Sequence, residues 1–352
     1  MPCMKRKTLK LIAWGAVATV FVVFALFAPS FDRQEEMHGY LRSGKYVIGN
    51  GIMVGIDTNR IAFLTCRHVV TEKMLETGLS FIDKATADNA ICINRKGRGF
   101  VYATIANIDP ARWHFAPDAD HDFAWIVLTD DELRKIAPDG CPPFIMLPAD
   151  SHSQTPELIT EWYFPDMNID VGSRVSVLRL FSPVLGQGSA ENLSYLNLFL
   201  QIPFRGESIA LTTRCDATLR SRRINQRVVS NDPINRFDQV MPLFVTDMPG
   251  HVNVSGSPVF AEQKDGKRPL IGLINSSTGN ASGFQSLDCI IAPIRRSLSV
   301  RVIDGARPKA DKALSAAGVI TLPKVPKSVF ADCESDVHQK ISMPSAMRGV
   351  AF

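Results

Sequence analysis

The chain has 352 residues and a formal net charge of +4, and a prior of about 150 residues per domain predicts two domains or one double domain. Hydrophobic residues make up 45% and charged residues 21%, which excludes a wholly disordered, collagenous or coiled-coil protein. Lys5, Arg6, Lys7 and Lys10 account for the entire net charge. The rest of the chain is balanced and offers no basic face for nucleic acid. No CxxC pair is present to suggest a zinc site or thioredoxin chemistry.

The N-terminus is a basic segment, residues 1–10, followed by an uncharged apolar run, residues 11–28. A helix of this length spans about 27 Å, enough to cross the hydrocarbon core of a membrane. A cleaved signal peptide is the alternative, but Leu26 and Pro29 flank the cleavage point unfavourably. We therefore expect an uncleaved transmembrane anchor. The positive-inside rule then leaves residues 1–10 in the cytoplasm and everything after residue 30 on the other side.

After a polar tether over 29–45, the chain is a series of short strands separated by Gly, Pro, Asn and Asp. Only Val69–Leu79 and Asp130–Ile136 are candidates for short helices. Many short strands without alternating helices predict an antiparallel barrel or sandwich. The apolar or alternating runs are KYVIGNGIMVGI, IAFLT, FVYATIANI, FAWIVL, RVSVLRLF, SYLNLFLQI, SIALTT, SPVFAE, PLIGLIN and CIIAPI.

Composition divides these strands into a first β unit over 46–150, a linker over 151–170 and a second β unit over 171–300. Residues 301–352 are rich in Ala, Lys and Pro, which predicts a largely disordered tail that could recruit a protein partner. The arginine-rich segment 220–227 is interpreted as a solvated loop.

Three segments carry residues typical of nucleophilic catalysis, and each adjoins a predicted strand. His68 follows the strand in IAFLTCRHVV, Asp122 precedes the strand in HDFAWIVL, and Ser255 lies in a tight turn in NVSGSPVF. Each residue alone has an ordinary explanation as a turn, surface or core residue. Together they supply a hydroxyl nucleophile, an imidazole base and a carboxylate that orients the imidazole.

These segments resemble those of the trypsin-like (chymotrypsin-fold) serine peptidases, most closely the bacterial HtrA/Deg-like members. AFLTCRHVV is similar to the family's histidine segment and DFA to its D-x-A segment. SGSPV is similar to S-G-G-P-V, with Ser257 in place of the second glycine. The likeness covers residues 46–300 in order. It implies two antiparallel six-stranded β-barrels with an active site in the cleft between them.

The resemblance also assigns roles. Ser255 is the nucleophile, His68 is its base and then the acid for the leaving amine, and Asp122 holds the imidazole tautomer. The backbone N–H groups of Asn253 and Ser255 form the oxyanion hole. Asn253 replaces the family's usual glycine, and Asn is the non-glycine residue that best tolerates positive φ. A degenerate, inactive relative therefore remains an alternative.

Other acidic and histidine residues lie near the three candidates, and the spacing between the candidates is unusual. Asp118 and Asp120 lie close to Asp122, but only Asp122 stands two residues before the alanine of the D-x-A pattern. His251 lies four residues before Ser255 and is read as a loop residue. The long gap between Asp122 and Ser255 predicts insertions around 150–170 and 215–240.

The resemblance also predicts a primary substrate pocket that carries no charge. In tryptic members an acidic residue about six positions before the serine binds Lys or Arg, and here Pro249 occupies that position. Asp247 lies two residues further back. The pocket wall expected from Asn275, Ser276 and Ser277 is small, polar and neutral. We therefore expect cleavage after small or medium apolar residues.

One N-glycosylation sequon and the cysteines bear on the cellular compartment of the region after the anchor. The N-x-S sequon at Asn253 lies within the candidate catalytic motif, where a glycan would obstruct the site. This favours a compartment without N-glycosylation, such as a bacterial periplasm. Six cysteines lie beyond the anchor and some could pair in an exported protein, in an order that the sequence does not define.

The sequence thus predicts an all-β, membrane-anchored serine endopeptidase acting on polypeptides, with the catalytic unit on the non-cytoplasmic side and no cofactor or metal ion. Two alternatives stay open. One is an inactive barrel protein that binds peptide segments by strand addition. The other is a related hydrolase that attacks esters.

Overall fold

A computed structural model describes thirteen stretches of the chain: 34–44, 46–73, 78–83, 89–95, 98–147, 169–181, 208–209, 211–230, 237–250, 254–264, 266, 268–278 and 280–299. The apolar run 11–28, most of the linker 151–170 and the tail 301–352 lie outside these residues. No helix within the described stretches is both long and apolar enough to cross a membrane. The described residues belong to one compact unit, Met1–Asp304.

Two β-sheets dominate the described chain, and nearly all their neighbouring strands are antiparallel. β2 and β8 form the one parallel pair among the described strands. The strands of the first sheet are β1 (His38–Ser43), β2 (Tyr46–Asp57), β3 (Arg60–Thr65), β4 (Asn89–Arg95), β5 (Arg98–Ala106), β6 (Trp113–Phe115), β7 (Ala124–Val127), β8 (Ile145–Met146) and β10 (Ser208–Ile209). Those of the second are β9 (Arg174–Phe181), β11 (Leu211–Ser230), β12 (Phe237–Thr246), β13 (Pro258–Ala261), β14 (Leu270–Thr278) and β15 (Ala281–Ser286).

The second sheet closes into a six-stranded barrel in the order β11-β12-β15-β14-β13-β9, as predicted. The first sheet differs from the six strands expected, because nine described strands contribute to it and their path does not close. Its six longest strands follow the order β5-β4-β1-β2-β3-β7, with the short β6, β8 and β10 added. β10 lies at the start of the predicted run SIALTT, whereas β6 and β8, with three and two residues, are too short to carry a periodic signal of their own.

The expected tether over 29–45 is wrong in its second half, because β1 occupies His38–Ser43. β1 pairs with β2 on one side and β4 on the other, and its central residues Tyr40 and Leu41 are fully buried. The polar residues around them hid the strand in the sequence. The first sheet therefore begins before residue 46.

The arginine-rich segment 220–227 is also not a loop but part of β11, which pairs with β12 as far as Ser230 and Phe237. The expected insertion around 215–240 coincides with this strand pair. Each of the four arginines is ion-paired, which neutralises the segment: Arg220–Asp247, Arg222–Asp170, Arg223–Asp288 and Arg227–Asp238.

Helices are few in the described part of the chain. α1 (Arg67–Thr71) is shorter than the helix expected over Val69–Leu79, whereas α2 (Asp130–Ile136) is confirmed. A capping box between Thr129 and Glu132 begins α2. α3 (Ile291–Ser299) replaces the strand expected from CIIAPI. Its buried residues, at 291, 294 and 298, recur with a helical period that the short apolar run alone did not show.

A shared hydrophobic core fixes the two sheets to each other. The largest cluster contains Phe63 and Phe123 of the first unit together with Phe260 and Leu273 of the second barrel. A separate cluster that includes Phe284 fills the barrel itself. Residues on facing ends of the two sheets are therefore held in fixed relation, as an interfacial active site requires.

Candidate active site

His68 lies at the start of α1, directly after β3 ends at Thr65. The next two residues, Val69 and Val70, are buried in the core and hold the helix against the sheet. The His68 carbonyl accepts a hydrogen bond from Glu72 N–H at 2.8 Å, which closes the helical turn. The imidazole is thereby placed at the rim of the first sheet with 24% of its side chain exposed.

Asp122 holds this histidine through both carboxylate oxygens. Oδ2 lies 2.5 Å from His68 Nδ1, and Oδ1 accepts the His68 backbone N–H at 2.8 Å. The Asp122 carbonyl accepts the Arg67 N–H at 3.2 Å. Because Nδ1 carries the proton that faces Asp122, Nε2 is left free to accept one from a nucleophile.

The pKa of His68 reflects two opposing effects. Burial lowers it, but the charge and hydrogen bond of Asp122, with the charge of Glu72, outweigh burial and raise it to about 9. The carboxylate thus stabilises the imidazolium, the form that arises when the base has taken a proton. His121 does not compete for this carboxylate, because it pairs with Asp118.

Ser255 and Gly256 form a sharp turn directly before β13. Gly256 has φ +79°, and a Cβ atom there would lie 2.0 Å from the Asn50 carbonyl oxygen, so only glycine fits. Gly256 N–H donates to the Ile274 carbonyl at 2.7 Å. Asn50 N–H donates to the Ser255 carbonyl at 2.8 Å. The turn is fixed to both sheets, because Asn50 belongs to the first and Ile274 to the second.

The serine and histidine segments meet at one carbonyl group. Ile274 O accepts both the Gly256 N–H and the Cys66 thiol, the latter at 3.2 Å, and Cys66 stands two residues before His68. Within the described residues no hydrogen bond joins Ser255 Oγ to His68, a bond that in hydrolases commonly tightens only with substrate. Asn253 and His251 lie outside the described residues.

Several supporting residues were not found from the sequence. Gln285 on β15 accepts Asp122 N–H through Oε1 at 2.7 Å and donates from Nε2 to the Asp120 carbonyl at 2.7 Å. The Thr65 hydroxyl donates to Asn50 O at 2.6 Å. Thr65 lies within the histidine segment, but its bond to Asn50 has no sequence signal; Gln285 belongs to no motif and is 163 positions from Asp122.

Cys66, His68 and Asp122 also form a group of possible metal ligands, with donor atoms within 4.8 Å of one another. Their hydrogen bonds already engage these groups. Burial raises the pKa of the Cys66 thiol well above its ordinary value, which disfavours the thiolate that a metal ion binds. The five cysteines in the described stretches are all free thiols.

The residues predicted for the substrate pocket come from two segments that the barrel brings together. Pro249 follows β12 and is exposed, while the other three lie on β14: Asn275, Ser276 and Ser277. Ser282 joins the segments, because its hydroxyl donates to the Met248 carbonyl at 2.9 Å and it pairs with Ser277. Asn275 is buried with Nδ2 3.6 Å from Met241 Sδ.

Comparisons with known proteins give similarity of fold only. No known protein-family profile and no curated protein matches the chain. Solved structures that do match include human heparin binding protein, with 12% identity, a TM-score of 0.42 and coverage of 79% of this chain and 97% of that one. The MamO protease domain from Magnetospirillum magneticum has 11% identity, a TM-score of 0.40 and coverage of 74% and 97%. The active form of the Rv3671c protease from M. tuberculosis has 16% identity, a TM-score of 0.38 and coverage of 78% and 86%.

The chain resembles the trypsin-like serine peptidases in its two antiparallel sheets and in the segments placed at their edges. The narrower likeness to HtrA/Deg-like members stays a prediction. At these identities and scores the neighbours say nothing about activity. A function for this chain therefore has to be inferred from its own His68, Asp122 and Ser255.

Proposed function

We propose that this protein is a serine endopeptidase that hydrolyses peptide bonds in polypeptide substrates. The observation that carries the proposal is the two-point hold of Asp122 on His68, beside a Ser255–Gly256 turn that is hydrogen-bonded to both sheets. A carboxylate that fixes the imidazole tautomer, close to a serine in a tight turn, is an arrangement suited to nucleophilic acyl transfer.

The proposed reaction proceeds through an acyl-enzyme. Ser255 Oγ attacks the substrate carbonyl carbon while His68 Nε2 accepts the hydroxyl proton. His68 then gives that proton to the amine as the peptide C–N bond breaks. A water molecule then attacks the ester carbonyl and passes a proton to His68. His68 gives this proton to Ser255 Oγ as the ester C–O bond breaks, which releases the acid and restores the Ser255 hydroxyl. The backbone N–H groups of Asn253 and Ser255 are proposed to stabilise the oxyanion.

Covalent labelling with a fluorophosphonate probe tests the proposal. Labelling and peptidase activity should be lost in Ser255→Ala and His68→Ala, with kcat falling about 10⁴-fold or more in either. Activity should rise with pH toward the raised His68 pKa of about 9, because only neutral imidazole accepts the proton.

Two matched variants serve as controls. Ser257→Ala removes a buried hydroxyl that makes no hydrogen bond and lies in the same turn as Ser255. His121→Ala removes the imidazole that precedes Asp122 in the sequence and pairs with Asp118. Both should label like the wild type. An unlabelled wild type, or labelling that survives in Ser255→Ala, would instead favour the inactive peptide-binding barrel.

We further propose that residues 11–28 anchor the enzyme in a membrane, with the catalytic unit on the non-cytoplasmic side, as in a bacterial periplasm. The support is the charge-free apolar run after four basic residues in the sequence. The substrates are then exported or membrane-attached polypeptides.

A further inference from the structure

A chain of four buried polar side chains, three from the first sheet and one from β11 of the second barrel, ends beside the proposed nucleophile. Tyr102 Oη bonds Thr212 Oγ1, which lies 2.9 Å from His38 Nδ1, and His38 Nε2 lies 3.0 Å from Asn50 Oδ1. The four residues come from β5, β11, β1 and β2. All four are buried, and none is used by the proposed reaction.

The direction of every hydrogen bond in this chain is fixed. Leu180 N–H also reaches Asn50 Oδ1, at 3.4 Å, and a backbone N–H can only donate, so this amide atom is the oxygen. His38 must therefore donate from Nε2. A neutral imidazole with Nε2 protonated accepts at Nδ1, so Thr212 donates to His38 and Tyr102 donates to Thr212.

His38 is held in its neutral form by its surroundings. Burial lowers its pKa to about 4, more than the hydrogen bond to Asn50 raises it. The single N–H of the neutral ring is the one that Asn50 accepts. In this one arrangement every bond between the four side chains has a donor and an acceptor, and the Asn50 amide has a single orientation.

The backbone of Asn50 makes the connection to the serine turn. Its N–H donates to the Ser255 carbonyl at 2.8 Å, and its carbonyl accepts the Thr65 hydroxyl at 2.6 Å. The same carbonyl faces Gly256 at a distance that admits no Cβ atom. A displacement of Asn50 therefore disturbs Ser255, because a direct hydrogen bond joins the two backbones and Asn50 lies closely against Gly256.

We propose that His38 is a positioning residue for Ser255, acting through Asn50. This role rests on the proposed function. It means that the first sheet helps to hold the serine turn in place, although the sequence alone places that turn in the second barrel. A nucleophile displaced by about 1 Å can lose up to about 100-fold in rate. The hydrogen bond between His38 and Asn50, whose backbone contacts Ser255 directly, is close enough to have such an effect.

The test compares the full-length chain with four variants. His38→Leu removes both ring nitrogens, and His38→Gln restores a donor at the reach of Nε2. Thr212→Val removes only the hydroxyl that donates to His38 Nδ1, and serves if His38→Leu folds poorly. Ser43→Ala is the matched control, because its buried hydroxyl on the same strand donates to Asn89 Oδ1 instead, at 2.6 Å.

Two readouts are measured on each: the fluorophosphonate labelling rate of Ser255, and hydrogen exchange at the amides of Asn50 and Gly256. We expect His38→Leu to label about 10-fold more slowly than Ser43→Ala, with faster exchange at both amides. Thr212→Val should show a smaller change in the same direction, and His38→Gln should recover part of the labelling rate.

Equal labelling and exchange in His38→Leu, Thr212→Val and Ser43→Ala would overturn the positioning role and leave the proposed peptidase intact. A wild type that does not label, with exchange still faster only in the His38 and Thr212 variants, would support the connection and reject serine chemistry. Absence of both labelling and selective exchange would reject both.

Discussion

Asp247 lies two residues before Pro249 of the predicted substrate pocket, and both of its carboxylate oxygens are engaged elsewhere. Oδ1 accepts Thr218 N–H at 2.7 Å, and Oδ2 accepts from Arg220 at 2.7 Å. The hydrogen bond from Thr218 lowers the pKa of Asp247, and Arg220 adds to this effect. The carboxylate is thus bound to β11 and is not available to pair with a basic substrate side chain.

We therefore predict cleavage after small or medium apolar residues such as Val, Ala or Leu. A neutral pocket cannot offset the desolvation of a buried Lys or Arg, whereas a small apolar side chain loses little on entry. Peptide-library profiling measures this preference. Asp247→Asn should leave the profile unchanged, and a dominant Arg or Lys preference that Asp247→Asn abolishes would show that Asp247 does reach the pocket.

The residues that the sequence identified are those that motifs mark. His68 and Asp122 each adjoin a predicted strand, and their pairing across 54 positions follows from the β3–β7 antiparallel register. Asn50 and Gln285 carry no such mark, because their roles depend on backbone groups that approach only in the folded chain. Local pattern therefore points to candidate catalytic residues but not to the residues that hold them in place.

β15 is the element through which the second barrel contacts Asp122. Its residue Gln285 is almost fully buried and bonds backbone groups of both Asp120 and Asp122. The carboxamide matches these groups because it offers one acceptor and one donor at fixed separation. These two hydrogen bonds hold the segment before β7 in place next to His68.

We predict that Gln285→Leu lowers kcat about 10-fold while KM changes little, because the aspartate loop loses its support and the imidazole its orientation. Gln239→Leu, at an exposed position on the neighbouring β12, is the control for adding leucine to a strand of this barrel. Steady-state kinetics on both variants supply the comparison. If kcat in Gln285→Leu equals that of the control, the cross-sheet contact has no role in orienting Asp122.

Helices and strands were predicted correctly where the sequence carried their complete pattern. α2 has an N-cap, a Glu three residues on and a full turn, and the sequence placed it correctly. β1 and α3 were missed because a short polar strand and a short apolar helix both lack a decisive period, so tertiary packing determined them.

For the molecule as a whole, the proposed anchor would decide which substrates the proposed peptidase meets. If residues 11–28 span the bilayer uncleaved, we predict that the protein stays in the membrane fraction after an alkaline wash. Added protease should digest its bulk only from the non-cytoplasmic side. A mature N-terminus near Phe31, found by sequencing, would identify a cleaved signal peptide instead.

The stability of the whole fold should fall as the pH drops below 6.5, because of His38. Its pKa is lowered by burial from 6.5 to about 4, so between these values the unfolded chain binds a proton that the native ring does not. The stabilisation is complete above the unfolded pKa and is lost as the pH falls toward the folded one, about 3 kcal/mol in all.

Other groups titrate largely outside this window. The pKa of His68, raised to about 9 by Asp122 against burial, makes its contribution complete below pH 6.5 and lost only as the pH rises. Carboxylates with lowered pKa, such as Asp57 with its hydrogen bond to Arg60, lose their contribution nearer pH 4. Partial burial also lowers the pKa of His114, which adds to the acid loss.

Urea unfolding at pH 7 and pH 4.5 therefore isolates His38 when the wild type is compared with His38→Gln and His114→Gln. The stability advantage of the wild type over His38→Gln should shrink by about 2 kcal/mol between the two pH values, since glutamine does not titrate. His114→Gln should remove a smaller part of the acid loss, because that ring is only partly buried. Parallel pH dependence in the wild type and His38→Gln would mean that His38 is not kept neutral by burial.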